Sequence, residues 1–319
     1  MSGLKDWRGA ERIGVCLHDI AYSLGEQRSI DDLDFLRDDR PRLELYRSAG
    51  FEHYVESEMS MRELAFESAT RTLDGCGLSR TQIDTCLYVA ESFDRDEVVN
   101  SGQVNKLLMD LGIENAVPIH LSISNCANIV AALRLATAMI EAQQAVHVLI
   151  VSVDKAPTRY GGRKMFQEMS IKSDVSLSCV VSQAGIGRYR LLYIGQQNCA
   201  SLACCEISNA AAYSVPKFKG IRQAAQRAKE SLGMTSADFT RIITNNYSRE
   251  VSKMFTELCG FRKEAGWFEN IARFAHAVAG DVLINLTDLE MSGGIHAGDR
   301  LFLMADSIAA STVVCLQAQ

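Results

Sequence analysis

One unit of this chain occurs twice, and that repeat limits the folds open to it more than any other feature. Residues 67–89, ESATRTLDGCGLSRTQIDTCLYV, read as an amphipathic helix, a glycine stop and a strand. Residues 222–244, RQAAQRAKESLGMTSADFTRIIT, read the same way. Gly77-Leu78-Ser79 aligns with Gly233-Met234-Thr235, and Ile83 with Phe239, at an offset of 156 residues. In each copy a glycine closes the helix and a Ser or Thr opens the next turn. A second pair follows at an offset of 152: the apolar runs AVHVLIVSVDK (145–155) and AGDRLFLMADS (297–307). Each is preceded by a long helical segment, at 127–143 and at about 278–292.

The repeating unit is therefore helix, strand, loop, helix, strand, which belongs to the α/β class. Its strands are continuous apolar runs rather than strict alternations, as expected of sheets covered on both faces. With 319 residues, 47% of them hydrophobic, the chain can build two such cores, and we expect halves of 1–184 and 185–319. A formal charge of -6 and the lack of a long Lys/Arg block argue against general nucleic-acid binding. No run of eighteen apolar residues occurs, and the opening MSGLKDWRGAERIG lacks a signal peptide's apolar segment. A soluble, cytoplasmic protein with no membrane partner is the expectation.

Most of the ten cysteines sit in apolar runs, such as Cys86 in TCLYVA, Cys179 in LSCVVS and Cys315 in VVCLQ, and read as reduced core residues. Cys199, Cys204 and Cys205 form C-x4-C-C, which is no common zinc spacing, so no metal site is expected. Cys126 differs. It follows a strand-like HLSIS and the polar pair Ser124-Asn125, and it precedes a helix that is apolar on nearly every face: Ile129, Val130, Ala131, Ala132, Leu133, Leu135, Ala136. Such a helix must be buried. A thiol in its first turn lies in the field of unpaired backbone N–H groups, which favours thiolate, and its own N–H can face a developing oxyanion. On position alone, Cys126 is either an acyl-accepting nucleophile or one more small core residue.

The order of motifs around it resembles β-ketoacyl-acyl-carrier-protein synthase III and its relatives over nearly the whole chain. Asn125-Cys126-Ala127-Asn128-Ile129 lies at the family's A-C-S-G-F nucleophile, and AGFEHY (49–54) at its T-G-I-x-x-R stretch. KSDVSLSCVV (172–181) falls on its G-D-G-A-x-A strand, and GGIHAGDRLFLMADSIAAS (293–311) on its G-x-I-x-x-G-D-x-V-L-L ending. The resemblance implies a thiolase fold: two pseudo-symmetric halves in a five-layered αβαβα arrangement. The N-terminal half would carry the nucleophile, and the C-terminal half the base and an oxyanion loop.

The departures from the family are as informative. Where condensing members have P-H-Q-A-N, this chain has Thr244-Asn245-Asn246-Tyr247-Ser248, so Asn245 takes the His position and is expected as an auxiliary group. Where they have G-N-T-S-A-A-S, it has Ala275-His276-Ala277-Val278-Ala279-Gly280-Asp281, so His276 takes the Asn position. This H-x4-D spacing resembles a branch of synthase III-like acyltransferases from antibiotic pathways, which use a Cys-His-Asp triad to acylate hydroxyls or amines. The implied catalytic set is Cys126, His276 and Asp281. The chemistry fits, because an acceptor hydroxyl must lose a proton and an imidazole backed by a carboxylate can remove it. Decarboxylative condensation, the alternative, needs donors on an enolate instead. A non-catalytic partner subunit is the third reading, and such a subunit has no need of the trio. The remaining histidines, His18, His53, His120, His147 and His296, match no family position.

By resemblance, the oxyanion is held by the N–H groups of Cys126 and Ile308, the latter lying in ADSIAAS (305–311) where the family has F-G-G-G-x-T. The donor turn must then form with Ile in place of glycine, without glycine's range of φ. No permanently bound cofactor is implied. The donor would be an acyl-phosphopantetheine on acyl carrier protein or an acyl-coenzyme A, and the acceptor a small molecule of secondary metabolism. The family's coenzyme A clamp is thin here: Ser248 and Glu250 replace its Asn and Arg, and Arg47 lies one position away from its mouth residues. PKFKGIRQAAQRAK (216–229) offers Lys217, Lys219 and Arg222 as a basic face for an acidic carrier. A homodimer is implied by resemblance, with SFDRDEVVNSG (92–102) reaching the partner's active site.

Overall fold

Apolar runs become strands here because helices cover both of their faces. The computed structural model describes residues 14–91, 99–157, 162–165, 169–183, 185, 187–204 and 210–319. The opening segment, Cys205 and most of the stretch expected at a partner's site lie outside the described residues. The strands are β1 (Val15–Leu24), β2 (Glu26–Ser29), β3 (His53–Glu56), β4 (Thr85–Val89), β5 (Val117–Leu121) and β6 (His147–Asp154). They continue with β7 (Val175–Gln183), β8 (Tyr189–Asn198), β9 (Arg241–Thr244), β10 (Gly266–Trp267), β11 (Arg300–Asp306) and β12 (Ala310–Ala318). Apart from the antiparallel pair β2–β3, they form a ten-stranded sheet in the order β10-β9-β11-β12-β8-β1-β7-β6-β4-β5.

That order is the same five-stranded unit written twice. In one half β5, β4 and β6 run parallel, β7 is antiparallel to β6, and β1 is antiparallel to β7. In the other, β10, β9 and β11 run parallel, β12 is antiparallel to β11, and β8 is antiparallel to β12. The halves meet where Cys16 and Leu17 pair with Arg190 and Tyr189.

The helices repeat as well. Short α1 (Asp34–Arg37) and α2 (Arg40–Ser48) close a small satellite core around Tyr46 and Phe51. Helices α3 (Met61–Gly75) and α4 (Ser101–Asp110) cover the outer face of the first half, with Leu64, Leu73, Leu107 and Leu108 against Tyr88 and Val151. Beyond a short α6 (Ala200–Ala203), α7 (Ala210–Leu232) and α8 (Arg249–Leu258) cover the second half through Ile221, Ala225 and Phe255. Between the two halves of the sheet lie α5 (Asn128–Glu141), the short α9 (Asn270–Phe274) and α10 (Asp281–Met291). Ile129, Leu133, Leu283 and Leu286 share one core with Leu177 of the first half of the sheet and Val314 of the second. The result is five layers, αβαβα.

The repeat's punctuation is visible in the backbone. Gly77 (φ 70°) and Gly233 (φ 64°) end α3 and α7 in the left-handed region, where a side chain is strained. The capping boxes Ser79/Gln82 and Thr235/Asp238 then open matching 3₁₀ turns before β4 and β9. No helix among the described residues is long and apolar enough to cross a membrane.

Candidate functional site

The chain leaves β5 at Leu121 and turns sharply before entering the middle layer. Asn125 adopts φ 49°, a left-handed conformation that Asn tolerates better than most residues. Residues Asn125–Ala127 form a 3₁₀ turn, and the α-helix starts two residues later than Cys126, at Asn128. Asn128 pins the turn, accepting the Ser124 N–H (2.8 Å) and donating to the Ser122 carbonyl (3.0 Å). The pinning role of Asn128 leaves no mark in the sequence, because an amide that folds back on its own loop has no periodic signature. Cys126 is left 7% exposed, with its turn packed against the segment 278–280 and against β11 and β12.

His276 arrives from the other half. After α9 the backbone reverses at Ala275 (φ 54°, ψ −129°), and His276 then forms an isolated β-bridge with Lys172. The His276 N–H donates to the Ile171 carbonyl (2.9 Å), and its own carbonyl accepts from the Ser173 N–H (2.9 Å). Of the four non-glycine residues with positive φ among those described, Asn125, Ala275 and Val278 lie within two positions of Cys126 or His276. Backbone strain of this kind collects where the fold holds a side chain in one place.

The two sites converge. His276 Nε2 stands 3.1 Å from Cys126 Sγ, and His276 Nδ1 is closely bonded to Asp281 Oδ2. Asp281 is the first residue of α10, where the helix dipole favours negative charge. Its Oδ1 accepts the Ala277 N–H (2.7 Å) and its Oδ2 also accepts the Asn246 N–H (2.8 Å). His276 and Asp281 are fully buried. Burial alone would lower the imidazole pKa, but the Asp281 carboxylate and Cys126 more than offset it and hold His276 well above its ordinary value. His276 is therefore a stronger base than a histidine in water.

A buried amide network braces this arrangement, and nothing in the sequence announced it. Asn285 Nδ2 donates to Asn246 Oδ1 (2.8 Å) and to the Thr244 carbonyl (3.0 Å), while its Oδ1 accepts from Asn270 Nδ2 (2.9 Å). Asn270 continues to Asp288, which Arg273 and Tyr22 also reach. Asn285→Leu should cost about 2–4 kcal/mol of stability, since it leaves several buried polar groups unpaired. A denaturant midpoint equal to wild type would refute that bracing role.

Asn245 sits beside the same turn. Its Oδ1 accepts the Asp306 N–H (2.7 Å), and its buried Nδ2 has no partner among the described residues. Tyr247 stacks at a tilt on His276, with ring centroids 5.2 Å apart, and donates its hydroxyl to the Asp306 carbonyl (2.8 Å). Burial, and then the nearby Cys126 and Asp306 charges, push the Tyr247 pKa up, so it stays a donor. Ile308 lies in the β11–β12 turn, 43% exposed. It is not among the residues of positive φ, so this turn forms without glycine's conformational freedom.

The basic face splits. Lys219 and Arg222 are exposed on α7, as a docking surface requires. Lys217 is not on that face: it is 2% exposed and paired with buried Asp306 at 2.8 Å. The reason is helical spacing, because Lys217 shares the inward stripe of Ile221, Ala224 and Ala228.

No known family model matches the sequence, and no curated protein sequence does either. Solved structures do match along almost the whole chain. The acyltransferase ChlB3 superposes with a TM-score of 0.83 at 18% identity, over 96% of this chain and 98% of its own. The 3-oxoacyl-(acyl carrier protein) synthase III of Pseudomonas aeruginosa PAO1 gives 0.79 at 17% identity, over 96% and 98%. OleA of Xanthomonas campestris gives 0.80 at 13% identity, over 96% and 98%. At these identities the likeness speaks for architecture, and the chain has the thiolase fold shared by 3-oxoacyl-(acyl carrier protein) synthase III enzymes and the ChlB3 acyltransferase.

Proposed function

We propose that the chain is an acyltransferase that carries its acyl group on Cys126 and delivers it to a hydroxyl or amine with His276 as base and Asp281 behind it. The observation that carries this reading is the series of contacts from Cys126 Sγ to His276 Nε2 and from His276 Nδ1 to Asp281 Oδ2, closed to solvent on the His–Asp side. In the first half-reaction the Sγ proton passes to Nε2, and Sγ bonds to the carbonyl carbon of a donor thioester. The C–S bond to the donor then breaks, and the departing thiol takes the proton from Nε2. In the second, the acceptor O–H or N–H gives its proton to Nε2 and its oxygen or nitrogen bonds to the acyl carbon. The bond to Cys126 breaks, and Sγ takes the proton back.

The raised basicity of His276 supports this order over condensation. Condensation asks His276 and Asn245 to donate hydrogen bonds to a malonyl carbonyl, whereas a carboxylate behind an imidazole equips it to receive protons. The donor is an acyl carrier protein or coenzyme A thioester, with Lys219 and Arg222 as the docking charges. A groove of ≈ 250 Å³ beside them, lined by Asn198, Lys219, Gln223 and Ala309, adds polar groups to that face. The edge strand β5, with Val117 and Ile123 (84%) exposed nearby, suits pairing with a second copy, so a cytoplasmic homodimer of two-lobed subunits (1–184 and 185–319) belongs to the proposal. Service in secondary metabolism is part of the same reading.

The test is a partition experiment. Wild type loaded from acetyl, octanoyl or benzoyl N-acetylcysteamine thioesters is expected to gain the acyl mass. It should lose that mass faster to added alcohols or amines than to water. Release of carbon dioxide and a β-ketoacyl product on adding a malonyl thioester would replace acyl transfer with condensation. A protein that gains no mass from any donor would point to a non-catalytic subunit.

A further inference from the structure

Lys217 takes no part in the transfer chemistry, yet its ammonium group is buried. A buried charge is tolerated when it is paired and its hydrogen bonds are used. All three of its directions are used: Asp306 Oδ1 at 2.8 Å, the Ala310 carbonyl at 3.1 Å, and the Ser307 carbonyl in close contact. The last of these sets an orientation. A trans peptide holds its C=O and N–H on opposite sides. A Ser307 carbonyl drawn to Lys217 therefore turns the N–H of Ile308 away from Lys217.

Most other polar groups of the turn are occupied. The Asp306 N–H goes to Asn245, the Asp306 carbonyl accepts from Tyr247, and the Asp306 carboxylate accepts from Ser311. Ser307 and Ala310 bond each other, and the Ile308 carbonyl faces the Tyr213 hydroxyl. The N–H groups of Ile308 and Ala309, by contrast, meet no acceptor among the described residues, and of the two only that of Ile308 belongs to the peptide whose carbonyl Lys217 holds. The turn itself joins β11 and β12, both of which pack on the Cys126 turn.

We propose that Lys217 is a positioning residue for the oxyanion site: paired with Asp306, it fixes and polarises the Ser307–Ile308 peptide so that the Ile308 N–H meets the acyl oxygen on Cys126. The proposal rests on the acyl-enzyme reading. An ammonium bonded to the carbonyl end of an amide strengthens the N–H end as a donor, because hydrogen bonds in series polarise one another. The ion pair thus supplies by electrostatics the fixed turn that a glycine run would supply by conformation.

Removing one charge alone would strand the other, so the variant is the double Lys217→Met/Asp306→Leu, with folding followed by thermal unfolding. Wild type and variant are loaded from octanoyl N-acetylcysteamine carrying a ¹³C carbonyl. The folded variant should acylate about 10²-fold more slowly, as expected for a weakened oxyanion donor. Its acyl carbonyl stretch should move to higher frequency in isotope-edited infrared difference spectra. A folded variant with wild-type acylation and stretch overturns the proposal. Wild type alone gives a second reading. In ¹⁵N-isoleucine protein, the Ile308 amide proton, assigned by its loss in Ile308→Val, should shift downfield on acylation, and an unmoved resonance overturns the proposal without any charge change. Wild type that takes up no acyl group would overturn the acyl-enzyme reading and this proposal with it.

Discussion

Cys126→Ala should take up no acyl group from any thioester that acylates the wild-type protein, a loss of at least about 10³-fold in initial labelling rate. The force of the prediction comes from the other thiols. Burial pushes the pKa values of Cys86, Cys179 and Cys259 up to about 12, and that of Cys315 higher still, so these are poor nucleophiles at neutral pH. Cys204 is exposed and Cys199 half-buried, so simple thioester exchange with solvent-facing thiols would label them first. Enzymatic acylation reverses that preference and labels the 7% exposed Cys126, the thiol that stands 3.1 Å from a base. Peptide mapping of the labelled protein decides between the two. Acyl mass on Cys204, retained in the Ala variant, would mean that the enclosed Cys–His contact does no acyl chemistry.

The parts of this molecule that were legible in the sequence are those governed by periodicity. Two copies of helix, stop and strand become two copies of α3–β4 and α7–β9, down to matching left-handed glycines and capping boxes. The same rule was available for Lys217 and was outweighed by the charge of its neighbours. Positions 217, 221, 224 and 228 form one helical stripe, three of them apolar, and a lysine on such a stripe points inward. The convergence of Cys126 with His276 followed from the resemblance, since 150 residues separate them and no local pattern brings them together. The bracing amides were not legible at all. Asn246, Asn270 and Asn285 meet across 15 and 39 residues, and an isolated Asn in a sequence reads equally well as a turn or a surface residue. The Ile308 turn shows the same limit, because its shape depends on a lysine on another element.

Replacing Asp281 should slow acyl transfer more than it slows acyl uptake, and should move the pH dependence of transfer downward. The base must be neutral to accept the acceptor's proton. In wild type the Asp281 carboxylate helps hold the His276 pKa well above the ordinary value of 6.5, against the lowering effect of burial. The rate of transfer from a preformed acyl-enzyme, where the Cys126 contribution is gone and the Asp281 carboxylate remains, should therefore climb with pH through the titration of the imidazole, and fall as acid keeps it charged. Asp281→Asn removes the raising charge and leaves the burial, so the midpoint moves to lower pH. It also changes the tautomer. An amide N–H facing Nδ1 forces the imidazole proton onto Nε2, where it can no longer receive one from the acceptor. In a protease triad the corresponding change costs about 10⁴ in turnover, and a loss of about 10³–10⁴ is expected here. His276→Ala removes the base altogether and should slow transfer by about 10²–10⁴, leaving slow uptake on Cys126. Pre-loaded acyl-enzymes mixed with an amine across pH 5–10, with decay followed by intact mass, read both effects. If Asp281→Asn leaves the midpoint where it was, the carboxylate does not govern the base. If His276→Ala also transfers at the wild-type rate, the acceptor loses its proton elsewhere and the triad reading fails.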